Sequence, residues 1–104
     1  MEAIEREICL KSDTKAFGEK EFHRIAKTVA DPRRFEILQR VAGTKELACS
    51  VLREEIPVTP ATLSHHVKEL HDAGLIDIRK GGKCMFMKLR RDTWKKYLAW
   101  LKKL

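Results

Sequence analysis

The 104-residue sequence contains no run approaching the roughly 18 consecutive apolar residues that a membrane-spanning helix requires. Its first residues, Met1-Glu2-Ala3-Ile4-Glu5-Arg6-Glu7, lack the basic-then-apolar order of a secretory signal. A cytoplasmic protein is therefore expected. Cysteine is scarce: the three residues Cys9, Cys49 and Cys84 are far apart and odd in number. Secreted disulfide scaffolds use dense, even-numbered cysteines. Neither Cys-x-x-Cys nor His-x-x-x-His occurs, so a structural zinc site within one chain has no support. No glycine-rich phosphate cradle, nucleophile elbow or metal triad is present, which argues against an enzyme. No cofactor or metal is expected. Internal repeats and low-complexity segments are also missing.

What is abundant is positive charge, and it is unevenly placed. The formal net charge is +7. From Ile78 to Leu104 ten basic residues face the single acid Asp92, a net +9, and the first 77 residues carry −2. Such asymmetry suggests a polyanionic partner, with nucleic acid the first candidate. A basic, merely solvated tail helix would give the same count, so charge alone does not separate the two.

The length fits one domain spanning 1–104, small enough to gain from pairing with a second copy. Residues 1–18 read as an N-terminal arm or short dimerisation helix, with Ile4, Ile8 and Leu10 as its apolar positions. Phe22, Ile25, Ala26 and Val29 then recur at the spacing of one buried helix face. Asp31-Pro32 punctuates the chain, aspartate as an N-cap and proline at the first helical position. The helix that follows points Phe35, Ile37, Leu38 and Val41 inward and stops near Gly43. Thr44 is read as the cap of a further helix striped by Leu47, Ala48, Val51 and Leu52, ended by Ile56-Pro57-Val58.

Thr59-Pro60 repeats the capping device. The helix from Pro60 to about Ala73 buries Leu63, Val67 and Leu70, and Gly74 ends it. Its other face presents Ala61, Thr62, Ser64, His65 and Lys68, small, polar or basic as entry into a DNA groove requires. Two extended runs, Leu75 to Arg79 and Cys84 to Leu89, flank Lys80-Gly81-Gly82-Lys83 and read as a basic-tipped β-hairpin. Asp92 is read as capping a last helix, 91–104, bearing Trp94, Tyr97, Leu98 and Leu101. The fold class is mainly α (α+β): a winged helix-turn-helix with a two-stranded wing and terminal helices forming a dimer interface.

Three segments carry a family resemblance. Asp31-Pro32-Arg33-Arg34-Phe35-Glu36-Ile37-Leu38 resembles the DPxRxxIL signature of the ArsR/SmtB repressors. Thr62-Leu63-Ser64-His65-His66-Val67-Lys68-Glu69-Leu70 resembles their TxSHHLxxL recognition helix, and Ala73-Gly74-Leu75-Ile76 their AGLV entry to the wing. The resemblance covers about Phe22 to Leu104. It implies a homodimeric transcriptional repressor that binds double-stranded DNA at an imperfect palindrome and leaves it when an inducer binds. The metal chemistry of that family does not carry over. Its arsenic sensors carry ELCVCDL where this chain reads Glu46-Leu47-Ala48-Cys49-Ser50-Val51-Leu52, so Ala48 and Ser50 stand at the ligand positions. One thiol cannot supply a trigonal thiolate site. The zinc sensors use Asp and His on the closing helix, and no histidine follows Asp92. The inducer is left unidentified.

The resemblance makes Thr62, Ser64 and His65 base or phosphate contacts, and lets Ala61 meet a thymine methyl. Thr59 and Lys68 join them on the same helix, although capping alone accounts for Thr59. Arg79, Lys80 and Lys83 are expected to grip phosphates from the wing. Arg33 and Arg34 either pair with acids or lie along the backbone. His66 is read as bracing the turn against the preceding helix, and His71 as favouring the helix dipole. Ile4, Ile8, Trp94, Tyr97, Leu98 and Leu101 form the expected dimer interface, with packing on the chain's own core as the alternative for the aromatics. Cys9, Cys49 and Cys84 are candidate thiol sensors only if exposed and activated, and inert thiols are the plainer reading. The rival function is a basic winged-helix module that binds RNA or protein without a specific DNA operator.

Overall fold

The computed structural model describes residues 17–104, so Ile4, Ile8, Leu10 and Cys9 lie outside the described residues. In chain order the elements are α1 (Glu19–Val29), α2 (Pro32–Ala42), β1 (Leu47–Ala48), α3 (Cys49–Glu55), α4 (Pro60–Asp72), β2 (Ile76–Gly81), β3 (Cys84–Leu89) and α5 (Arg91–Lys102). The strands form one antiparallel sheet in the order β1-β3-β2.

Helix starts follow local chemistry. At α2 the Asp31 carboxylate accepts from the N–H groups of Arg33 (2.9 Å) and Arg34 (3.0 Å), with Pro32 at the first position. Those two bonds, Arg34 first, hold the Asp31 carboxyl below its usual range, aided by nearby positive charge. At α1 the Glu21 carboxylate reaches back to accept from Gly18 N at 2.8 Å. Gly74 ends α4 with φ +80°, the left-handed turn that glycine alone enters without a Cβ penalty. Gly43 follows α2 with φ −76°, so that end uses none of glycine's freedom.

Two sequence expectations are corrected at the middle of the chain. Leu47 and Ala48 belong to a short strand rather than to a helix capped by Thr44, and α3 starts at Cys49. The Thr44 hydroxyl instead donates to Val41 O at 3.3 Å. The reason is tertiary: Leu47 pairs with Met87 and Ala48 with Phe86, giving the hairpin a third strand. The wing is the expected two-stranded hairpin β2–β3, and β1 extends it to a three-stranded sheet. At α5 the expected cap is also displaced. Arg90 holds the N-cap position, and Asp92 sits in the first turn without a capping bond.

The core joins one face of every helix to the sheet. Ile25, Ile37, Val41, Leu52, Val67, Leu70, Leu75 and Met87 are fully excluded from solvent. Phe35, expected inward, is exposed at 37% because Ile37, Leu38 and Val41 take the core side of α2. On α4 the expected trio Leu63, Val67 and Leu70 is buried, anchoring the helix and fixing which face looks out.

Candidate nucleic-acid interface

The outward face of α4 is the centre of the site. Thr59 caps it, its hydroxyl oxygen accepting from Thr62 N at 3.2 Å and its proton going to Thr62 Oγ1 at 2.9 Å. With its oxygen accepting from Thr59, the Thr62 hydroxyl still has a proton it can donate. Ala61, Thr62 and His65 are exposed and Ser64 is half-buried. This face carries hydroxyls, one methyl and one imidazole at its leading end, but no formal charge. Such groups meet base edges without the indiscriminate attraction a lysine brings.

Lys68 lies one turn further on, and its Nζ is 3.2 Å from Asp72 Oδ2. Asp72 also lies 3.9 Å from Arg24 of α1 and 3.5 Å from His71 Nδ1. The carboxylate therefore ties α4 to α1, a role the sequence reading missed. His71 is buried beside it, on the core side of the helix rather than at its surface. His66 is buried too, and its charged neighbours are Asp31, Arg34 and Arg33 at the start of α2. Burial lowers the His66 pKa, Asp31 partly opposes this, and the ring favours its neutral form. Arg33 donates to Glu36 at 2.8 Å and so pairs with an acid, whereas Arg34 donates to the backbone oxygen of Thr28 at 3.3 Å rather than to an acid.

The wing supplies the positive charge. Lys80 and Lys83 are exposed near its tip, where Gly82 and Lys83 form the two-residue turn between the paired Gly81 and Cys84. Gly82 has φ +62°, as the first central residue of a II′-type hairpin turn requires. Arg79 lies lower, its guanidinium bound through two bonds to Glu46 at 2.7 and 3.0 Å and set 4.6 Å above the Phe86 ring. No local sequence signal marks Glu46, which is 33 residues away from Arg79. Its nearness depends on β1 joining the sheet.

The closing helix divides its apolar residues. Tyr97 is buried in the chain's own core, 5.2 Å from Phe22 and 5.4 Å from Trp94 between ring centres. Trp100 stacks on Phe22 at 5.2 Å. Leu98 (39%) and Leu101 (38%) remain exposed beside them. The structure thus places Trp94 and Tyr97 in an intrachain cluster and leaves the leucines facing out. Of the thiols, Cys49 is buried, and burial pushes its pKa up, which disfavours the reactive thiolate. Cys84 is exposed beside the wing turn. Among the described residues no group of three or more His, Cys, Asp or Glu is placed to hold a metal. No helix among them is long and apolar enough to cross a membrane.

A capped helix-turn-helix whose second helix shows a polar face, followed by a basic-tipped hairpin, defines a winged helix-turn-helix protein. Comparison with known proteins agrees. A family model described as a helix-turn-helix domain matches residues 29–79. The uncharacterized HTH-type transcriptional regulator YceK of Bacillus subtilis (strain 168) is 34% identical over 76 residues, 72% of this chain and 76% of that protein. The arsenical resistance operon repressor of Staphylococcus xylosus is 41% identical over 63 residues, 61% of this chain and 60% of the repressor. Among solved structures, an ArsR-like transcriptional regulator from Rhodococcus sp. RHA1 superposes with TM-score 0.73 at 21% identity, covering 81% of this chain and 78% of that one. A homodimeric winged helix-turn-helix DNA-binding domain from Mycobacterium bovis gives TM-score 0.69 at 24% identity, covering 86% and 82%. The chain belongs to the HTH-type transcriptional regulators, and its fold is the winged helix-turn-helix.

Proposed function

We propose that this protein is a cytoplasmic, homodimeric repressor that recognises an imperfect palindromic operator with two copies of α4. The observation that carries the reading is the uncharged polar face of α4, Ala61, Thr62, Ser64 and His65, held outward by the burial of Leu63, Val67 and Leu70. In this reading α4 enters the major groove and reads base edges, and Lys80 and Lys83 meet the phosphates alongside. Two-fold pairing would space the two helices about one DNA turn, ~34–36 Å. The exposed Leu98 and Leu101 on α5 offer an apolar surface for that pairing. The family relation supports a regulator rather than an enzyme. The metal-ligand positions of the arsenic sensors are occupied by Ala48 and Ser50, so induction by thiolate-bound arsenic is not part of the reading.

The test is a titration of the protein into the duplex upstream of its own gene and into a scrambled duplex, near physiological salt. A preference of ~10³-fold or more is expected of a specific repressor. Equal, salt-sensitive binding to both would overturn the operator reading and favour a basic module for RNA or protein.

A further inference from the structure

The Glu46–Arg79 pair is built by the sheet, and its parts converge from all three strands. Ala48 of β1, Phe86 of β3 and Arg79 of β2 are register partners in one row across the sheet. Glu46 immediately precedes β1, two residues before Ala48. From there it reaches across Phe86 to the guanidinium, which rests on the ring as a cation–π pair. Gly81 makes room: a Cβ there would stand 2.9 Å from Arg79 Nη1 and 3.0 Å from Phe86 Cε2. The bond to Arg79 holds the Glu46 carboxyl below its usual range and raises the arginine further, so both remain charged. Two of the five guanidinium N–H groups and one ring-facing side are taken, and the paired carboxylate offsets the positive charge that a phosphate would otherwise meet.

We propose that Glu46 is a positioning residue that withholds Arg79 from the DNA backbone, limiting the wing's grip on DNA of any sequence by one phosphate per protomer. The inference rests on the DNA-binding reading above. Each phosphate neutralised by a protein cation makes log K against log[salt] steeper by about 0.9. In the paired state Arg79 contributes nothing to that slope, and the charge the wing applies to DNA comes from nearer its tip. A neutral pair in place of a free arginine also weakens the hold of random DNA, the competitor every regulator meets.

The experiment measures the salt slope of binding to a random-sequence DNA duplex for four proteins: wild type, E46Q, E46D and the double variant E46Q/R79Q. E46Q removes the restraining charge and keeps the side chain's size. Its slope is expected to steepen by about 0.9 per protomer, with roughly fivefold tighter binding near 0.15 M salt. E46D keeps the carboxylate and should stay near wild type. The double variant has the same net charge as wild type and should show the wild-type slope. A double-variant slope shallower by about 0.9 per protomer would mean that Arg79 already grips phosphate, and an unchanged E46Q slope would mean that it is not restrained. Either result overturns the proposal. Unfolding midpoints recorded alongside confirm that the four proteins share the fold. Random DNA is used deliberately: loss of operator preference sinks the operator reading and leaves this inference standing, whereas no duplex binding at all sinks both.

Discussion

Helix α4 and the wing are built from opposite materials. Helix α4 is nearly neutral on its outward face and is held by buried apolar residues beneath, Leu63, Val67 and Leu70. The wing is strongly basic, with Lys80 and Lys83 exposed near its tip, and is held by pairing across the sheet and by an ion pair with a distant glutamate. In the proposed reading, the difference shows how one small domain would separate discrimination from affinity. Hydrogen-bonding groups without charge can tell base edges apart, whereas lysines hold any phosphate. Mixing the two on one surface would raise affinity for all DNA and blur the reading.

The comparison breaks most severely if α4 loses its anchor. Leu70 is fully buried, so Leu70→Ala should cost about 2–5 kcal/mol of stability, read from urea or thermal unfolding. An unchanged midpoint would contradict the packing described. A smaller loss comes from the helix start, where Thr59→Ala removes the bond to Thr62 N and should cost about 1 kcal/mol. Thr59→Ser should keep most of it. The sharpest separation of the two regions pairs His65→Ala with Lys80→Ala. His65→Ala should lower the operator-to-random preference by roughly fivefold, the worth of about one hydrogen bond, and leave the salt slope unchanged. Lys80→Ala should weaken both DNAs alike and flatten the slope by about 0.9 per protomer. Interchanged signatures would reverse the roles assigned here.

The smallest expected effect is a pH dependence seated under the recognition helix. The folded-state pKa of His66 lies below its ordinary value near 6.5, because burial penalises the charged ring more than Asp31 favours it. As pH falls through 6.5 the unfolded chain takes up this proton first. The stability present above that pH is therefore progressively lost below it. Unfolding midpoints between pH 7 and 5 should fall less steeply in His66→Gln than in wild type. Parallel curves would remove His66 as the cause.

How much of this was legible in advance follows from the range of each interaction. Asp31-Pro32 and Thr59-Pro60 announced α2 and α4 because a cap and its helix lie within four residues of each other. Leu47-Ala48 misled for the complementary reason. Their apolar character suits a helix as well as a strand, and only β3, nearly forty residues later, decides the matter. Phe35 was placed inward because periodicity gives a direction for a helix face without its width. Tyr97 had two partners in prospect, a second chain or its own, and the structure puts Phe22 and Trp94 against it.

The sequence by itself determined the order of helices, the polar face of α4, the glycine turn of the wing and the concentration of positive charge after residue 77. All are local patterns, written in neighbouring residues and in the 3.6- and 2-residue periods. Only the tertiary structure decided that Asp72 ties α4 to α1, that His66 meets the start of α2, and that Arg79 is held by Glu46. Those are meetings between residues far apart in the chain, and no local pattern encodes which charged side chain will find which partner once the core has closed.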